Sequence, residues 1–129
     1  MSNKRELLNE WFKYGDRDLH SAEIIFSQAP EYFDMIGFHC QQAVEKYLKG
    51  YLTFLEIDFP KTHNLPLLMD LINEVSEFPE PYYKKAADLS SFAVETRYPF
   101  SKPVFSEIDQ SNRILIVKEF KEEIILRTK

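Results

Sequence analysis

Apolar residues recur along this chain at the spacing of helices. Phe33, Ile36, Cys40, Ala43, Val44, Tyr47, Leu48, Tyr51 and Leu55 fall on one side at about 100° per residue, the period of an amphipathic helix. The pattern predicts a helix running to about Glu56, roughly 25 residues and the longest element. His39, Gln42, Lys46 and Lys49 line a shoulder that borders this apolar side, and Gln41 and Glu45 sit on the opposite flank. Two readings follow. One is a solvated surface with a Glu45–Lys49 pair at i,i+4; the other is a polar groove between helices.

Before it, a helix is expected from near Arg5 to Gln28, ended by Pro30, with Leu8, Trp11, Gly15, Leu19, Ala22, Phe26 and Ala29 on one face. Leu7, Tyr14 and Ile25 lie beside that face. Asp18 falls inside it, between Tyr14, Ala22 and Ile25. A buried, unpaired carboxylate is too costly to keep, so Asp18 should meet a cation or a set of donors, with Arg97 preferred. It is then either the acid of a site or half of a structural salt bridge.

Pro60, Thr62 and Asn64 announce another helix start, with His63 placed to help bind an anion there or simply to cap and pack. Leu65, Leu68, Ile72 and Val75 carry that helix to near Phe78. A fourth helix, from about Pro81, presents Tyr82, Ala86, Leu89, Ser90 and Ala93 on an inner face that leads to Arg97, and Pro99 stops it. Phe100 to Phe105 reads as a loop. Ser106 and Asp109 form a weak capping box for a last helix, Glu107 to about Leu126, with Ile116, Val117, Phe120 and Ile124 as its stripe.

Short connections between five such segments predict an all-α fold. The expected form is an up-and-down antiparallel bundle, a four-helix core plus an additional helix, in a single domain over residues 1–129. Phe12, Phe38, Phe54 and Tyr83 lie off the main stripes, which predicts an apolar surface for a second subunit and hence a homodimer.

Composition narrows the functions. A net charge of −5 and a pI near 5.2 argue against a protein that coats duplex DNA, while leaving room for a local basic site. Cys40 is the single cysteine; it cannot form an intrachain disulfide and reads as a small buried hydrophobe, which fits a reducing cytoplasm. The opening MSNKRELLNEW has no apolar run of signal-peptide length, and no stretch is apolar enough to span a membrane. The expectation is a soluble, cytoplasmic protein.

A Gly-rich phosphate loop, GxSxG, HExxH and paired cysteines are all absent from the sequence. His20, His39 and His63 are not spaced for a two-histidine metal site on one helix, so neither a metal nor a cofactor is expected. What remains is a set of polar residues that packing can bring into one cleft: Arg97, His39, Gln42, Lys46 and His63, with Asp18 as an acid. Arg97 and Lys46 suit phosphate, and Tyr47, Tyr98 or Trp11 are placed either to stack on a base or to pack.

Trp11 followed by DRDLHSAE (16–23), then FHCQQAVEKYLKGYL (38–52), KTHNL (61–65) and TRYPF (96–100), resembles the HEPN domain family. The segments occur in family order over nearly the whole chain. The QQAVEK-type helix with downstream THNL and RYP elements is fairly specific, whereas each alone is weak. The resemblance implies a dimer-forming helical bundle, often encoded beside a small nucleotidyltransferase and described as nucleotide-binding. It also implies kinship with ribonucleases of toxin–antitoxin and defence systems.

One departure counts against nuclease activity. Ribonuclease members carry an Arg followed four to six residues later by a His; here Arg97 is followed by YPFSKPV, and Arg17 precedes His20 too closely. Three functions stay open: a nucleotide- or RNA-phosphate-binding module around Arg97, flanked by His39, Gln42, Lys46, His63 and Tyr98; a metal-independent ribonuclease using Arg97 with a distant histidine; and a non-catalytic dimeric scaffold.

Overall fold

The computed structural model of the chain describes residues 3–95 and 107–129, and the side chains of 3–90 and 109–129. Within them the backbone forms five helices and no strand: α1 Lys4–Gln28, α2 Phe33–Phe54, α3 Leu65–Asn73, α4 Glu80–Glu95 and α5 Glu107–Arg127. Asn3 caps α1 by accepting from the N–H groups of Arg5 at 2.7 Å and Glu6 at 3.1 Å. Asn64 does the same for α3 through Leu67 at 3.1 Å, and Pro66 occupies the first turn, where its missing N–H costs nothing.

Helix α2 is the hub, packed against α1, α3, α4 and α5. Its apolar side is buried from Ile36 to Leu52, each large side chain contributing about 1.5–3 kcal/mol of transfer free energy. Leu8, Leu19 and Ala22 meet it from α1, Leu68 and Ile72 from α3, Leu89 from α4, and Val117, Phe120 and Ile124 from α5. Ion pairs fix the neighbouring register: Asp16 with Lys121 and Glu23 with Lys118 run α5 antiparallel to α1.

Two glycines set how closely α1 and α2 approach. A Cβ on Gly15 would stand 2.6 Å from Cε1 of Tyr47, and one on Gly50 would stand 2.8 Å from the Cβ of Trp11. Tyr47, pressed over Gly15, is fully buried and donates its hydroxyl to Asp16 at 2.6 Å. Burial, then that bond and the Asp16 charge, push its hydroxyl above the usual tyrosine range.

The structure moves several expected boundaries. α1, at 25 residues, is longer than α2, at 22, because α2 starts only at Phe33 and ends at Phe54. There Glu56 takes a positive φ of 61°, and the N–H groups of Glu56 and Ile57 bond back to Thr53 and Leu52, a Schellman closure. α3 stops at Asn73, and Val75 is an exposed turn residue instead of a member of the stripe. Phe78 is the cause: it turns inward among Tyr51, Tyr82 and Phe120. Arg127 lies over its ring and donates to the carbonyls of Ser76 at 2.9 Å and Glu77 at 2.8 Å, holding this turn open. Leu7 and Tyr14, expected beside the inner face of α1, are exposed.

Candidate functional site

Asp18 projects from α1 toward α2, where His39 and Lys46 wait two turns apart. Nδ1 of His39 is 2.9 Å from one carboxylate oxygen, and Nζ of Lys46 contacts the other. Both oxygens therefore have a partner, and both partners come from α2. A carboxylate cannot donate, so Nδ1 carries the proton and Nε2 is the ring's free nitrogen; among the described residues nothing bonds to it.

The second cluster is built on Glu45, whose side chain is only 5% exposed. Lys49 lies 3.0 Å from Oε2, and Nδ1 of His63 lies 2.9 Å from Oε1. Gln41 donates to the carbonyl of His63 at 2.9 Å and thereby ties the connection after α2 to the helix. Gln42 donates to Gln41 at 2.9 Å, while both amides approach Glu45 at 3.5 Å. Gln42 also sits between His39 and Lys46 in sequence, on the shoulder of the first cluster. The two clusters are thus neighbours along one helix.

The Glu45–Lys49 pair exists, but it does not belong to a solvated surface: Gln41 and Glu45 are buried. Sequence reasoning missed them because their angular position flanks the stripe, and the connection after α2 comes back onto that flank, where His63 meets both. His63 itself is 80% exposed, so its ring is anchored at one nitrogen and open at the rest. Its imidazole sits on Glu45; the helix-terminal N–H of Leu67 is taken by Asn64 instead.

The balance of charge follows from these contacts. Two carboxylates, Asp18 and Glu45, match two ammonium groups, Lys46 and Lys49. With Nδ1 fixed by an acid, either ring offers Nε2 as a donor to an anion when protonated, or as a proton acceptor when neutral.

Of the side chains offered for stacking on a base, Tyr47 is withdrawn: it has no exposed surface. Trp11 is half-buried and packs edge-on to Phe59 with centroids 6.2 Å apart. Arg97 and Tyr98 lie outside the described residues, as do Pro99 and Ser106. His20 is exposed and outside both clusters. Among the described residues no group of three His, Cys, Asp or Glu side chains is placed to hold a metal ion. A cleft of about 580 Å³ lies between α1 and α5, beside Arg5, Phe12 and Lys13, and holds none of the predicted site residues.

A helical bundle whose central helix carries one carboxylate-bound histidine, His39, and, in its QQAVEK run, the acid that holds a second, His63 of the following connection, defines an all-α domain with a polar flank. The model of the HEPN domain family matches residues 8–127, and the chain belongs to that family. At family level this makes it a nucleotide- or RNA-related module, of a kind that commonly dimerises. The crystal structure of an archaeal HEPN homologue superposes with a TM-score of 0.75 over 95% of this chain and 98% of that one, at 23% identity, which speaks for the fold alone. A comparison with curated proteins found no match. No helix among the described residues is long and apolar enough to cross a membrane.

Proposed function

We propose that this protein binds a nucleotide or RNA phosphate on the α2 shoulder and works with a small nucleotidyltransferase in a toxin–antitoxin or defence setting, as a cytoplasmic homodimer. The observation that carries the reading is the pair of histidines, His39 and His63, each held at Nδ1 by a buried or nearly buried carboxylate and unpartnered at Nε2 among the described residues. Lys46, on Asp18, and Gln42, on Gln41, add further donors from α2. Arg97 and Tyr98 join the proposed set on the strength of the sequence: a guanidinium fork for the phosphate and a ring beside it.

A carboxylate-fixed imidazole is also the arrangement of a general acid or base. It favours, as a second reading, a metal-independent ribonuclease in which Arg97 steadies the phosphate and His39 or His63 moves the proton. Titration of the full chain with nucleotides and short oligoribonucleotides separates the two. Binding that is lost in Arg97→Ala and poorly restored in Arg97→Lys, with unchanged melting and intact RNA, supports the binding module. RNA cleavage without added metal, abolished by His39→Ala or His63→Ala, replaces it with the ribonuclease. If there is neither binding nor cleavage, with the proposed nucleotidyltransferase present as well, the clusters only lock α1, α2 and the following connection together, and the protein is a scaffold.

A further inference from the structure

Of the four aromatic residues that fall off the helical stripes, three are taken up by the chain itself. Phe12 packs on Tyr47 at 4.8 Å between centroids, Phe54 lies under Lys4 and Arg5, and Tyr83 is half-buried. Phe38 is left, 52% exposed. A single exposed apolar side chain is ordinary and needs no explanation by itself. What distinguishes Phe38 is its neighbour: its ring meets the imidazole of His39 nearly at right angles, 76° between planes and 5.3 Å between centroids.

Helix geometry extends that contact into a strip. Phe38 lies one turn before Gln41 and Gln42 and two turns before Glu45 and Lys46, about 12 Å along the axis from the last of these. Donors and one ammonium group therefore run from His39 to Lys46 beside the buried Glu45, and a solvated aromatic ring closes their N-terminal end. This juxtaposition matches the two halves of a nucleotide, since a phosphate needs charged donors and a base offers a π-face to any aromatic surface. A base paired inside a duplex has no such face to give, and the net charge of −5 opposes a long phosphate backbone.

We infer that Phe38 is a stacking platform for an unpaired nucleobase whose phosphate is held by His39 and Lys46, so that the ligand is a free nucleotide or a single-stranded stretch of RNA. The inference rests on the phosphate-binding reading above.

The test compares ligands that differ only in the base. The full chain is titrated with an oligoribonucleotide carrying 2-aminopurine, with the same strand abasic at that position, with its duplex, and with adenosine monophosphate against ribose 5-phosphate. Stacking quenches the 2-aminopurine fluorescence and favours the base-bearing strand over the abasic one by about 5- to 150-fold, the range for one stacked base. Phe38→Ala should erase this ratio, Phe38→Tyr should keep it, and His39→Ala should weaken both ligands alike. A ratio seen with the monophosphate pair assigns a free nucleotide; one confined to the oligonucleotides assigns RNA. Equal binding of base-bearing and abasic strands by the parent protein, or a ratio that survives Phe38→Ala, overturns the stacking role while phosphate binding stands. Should Phe38→Ala convert a sedimenting dimer to monomer with the ratio intact, the ring belongs to a second copy of the chain. If the parent protein binds none of these ligands, the phosphate-binding reading falls and the platform with it.

Discussion

His63 is mostly exposed, yet its Nδ1 lies 2.9 Å from Glu45, the more deeply buried of the two site acids. One side chain thus joins the connection after α2 to the helix flank beneath it, where Lys49 and Gln41 complete the set. Removing the acid strands the largely buried ammonium group of Lys49, so Glu45→Ala should cost about 3 kcal/mol. His63→Ala should cost well under about 1 kcal/mol, because an exposed ring surrenders little burial and leaves Lys49 on the acid. Urea unfolding of the two variants checks the contrast.

Asp18 is shared by two donors, Lys46 and His39, both from α2. An Asp18→Ala, Lys46→Ala double-mutant cycle should return a coupling of about 1 kcal/mol or more, measured at equilibrium in denaturant. A cycle that closes to zero would mean that the ammonium group and the acid ignore each other in solution.

The close approach of α1 and α2 makes Gly15 sensitive in a way its helical position does not suggest. Alanine normally gains about 1 kcal/mol over glycine inside a helix. Here the new methyl would lie 2.6 Å from the ring of Tyr47, which is fully buried and packed against Phe12. Gly15→Ala should therefore destabilise by about 1–3 kcal/mol net, read as a lowered melting temperature.

How much of this could be read from the sequence depends on range. The stripes of α1, α2 and α5 announced themselves because a helical period is local, and Asn64 announced α3 because a cap is local too. Asp18 stood out as an acid inside a stripe, and the structure supplies donors for it. Glu45 and Gln41 did not stand out, since what buries them is a connection more than ten residues away. The fates of Phe12, Phe54 and Tyr83 depended on neighbouring helices, so the four off-stripe aromatics looked alike until packing singled out Phe38. The end of α2 was overestimated because its stop signal is a backbone conformation at Glu56, where glycine is the usual marker.

That same residue gives a stabilising substitution. Glu56 holds a φ of 61° on an exposed surface, a conformation that disfavours any side chain with a Cβ. Its carboxylate makes no hydrogen bond or ion pair among the described residues. Glu56→Gly should raise stability by about 0.5–1 kcal/mol, with the Schellman bonds from Glu56 and Ile57 preserved. An unchanged or lower unfolding midpoint would count against strain at this turn.

Cys40 sets how the fold responds to alkali. Burial, the main cause, pushes its thiol from an ordinary 9.0 up to about 12. Between these values the unfolded chain has released the thiol proton and the native chain still holds it. The unfolded state then binds fewer protons, so stability falls as pH rises, by up to about 1.4 kcal/mol per pH unit for this one group. Below pH 9 the contribution is present in full. Tyr47, raised above its ordinary 10.0 by burial and by Asp16, pulls in the same direction at higher pH. Cys40→Ala should start from a lower stability, because it leaves a small cavity, but lose less between pH 9 and 12 than the parent protein. In the native protein at pH 8 the thiol should stay silent to an aromatic disulfide reagent and react fully once urea is added; prompt reaction without denaturant would show that the core around α2 opens far more readily than its packing allows.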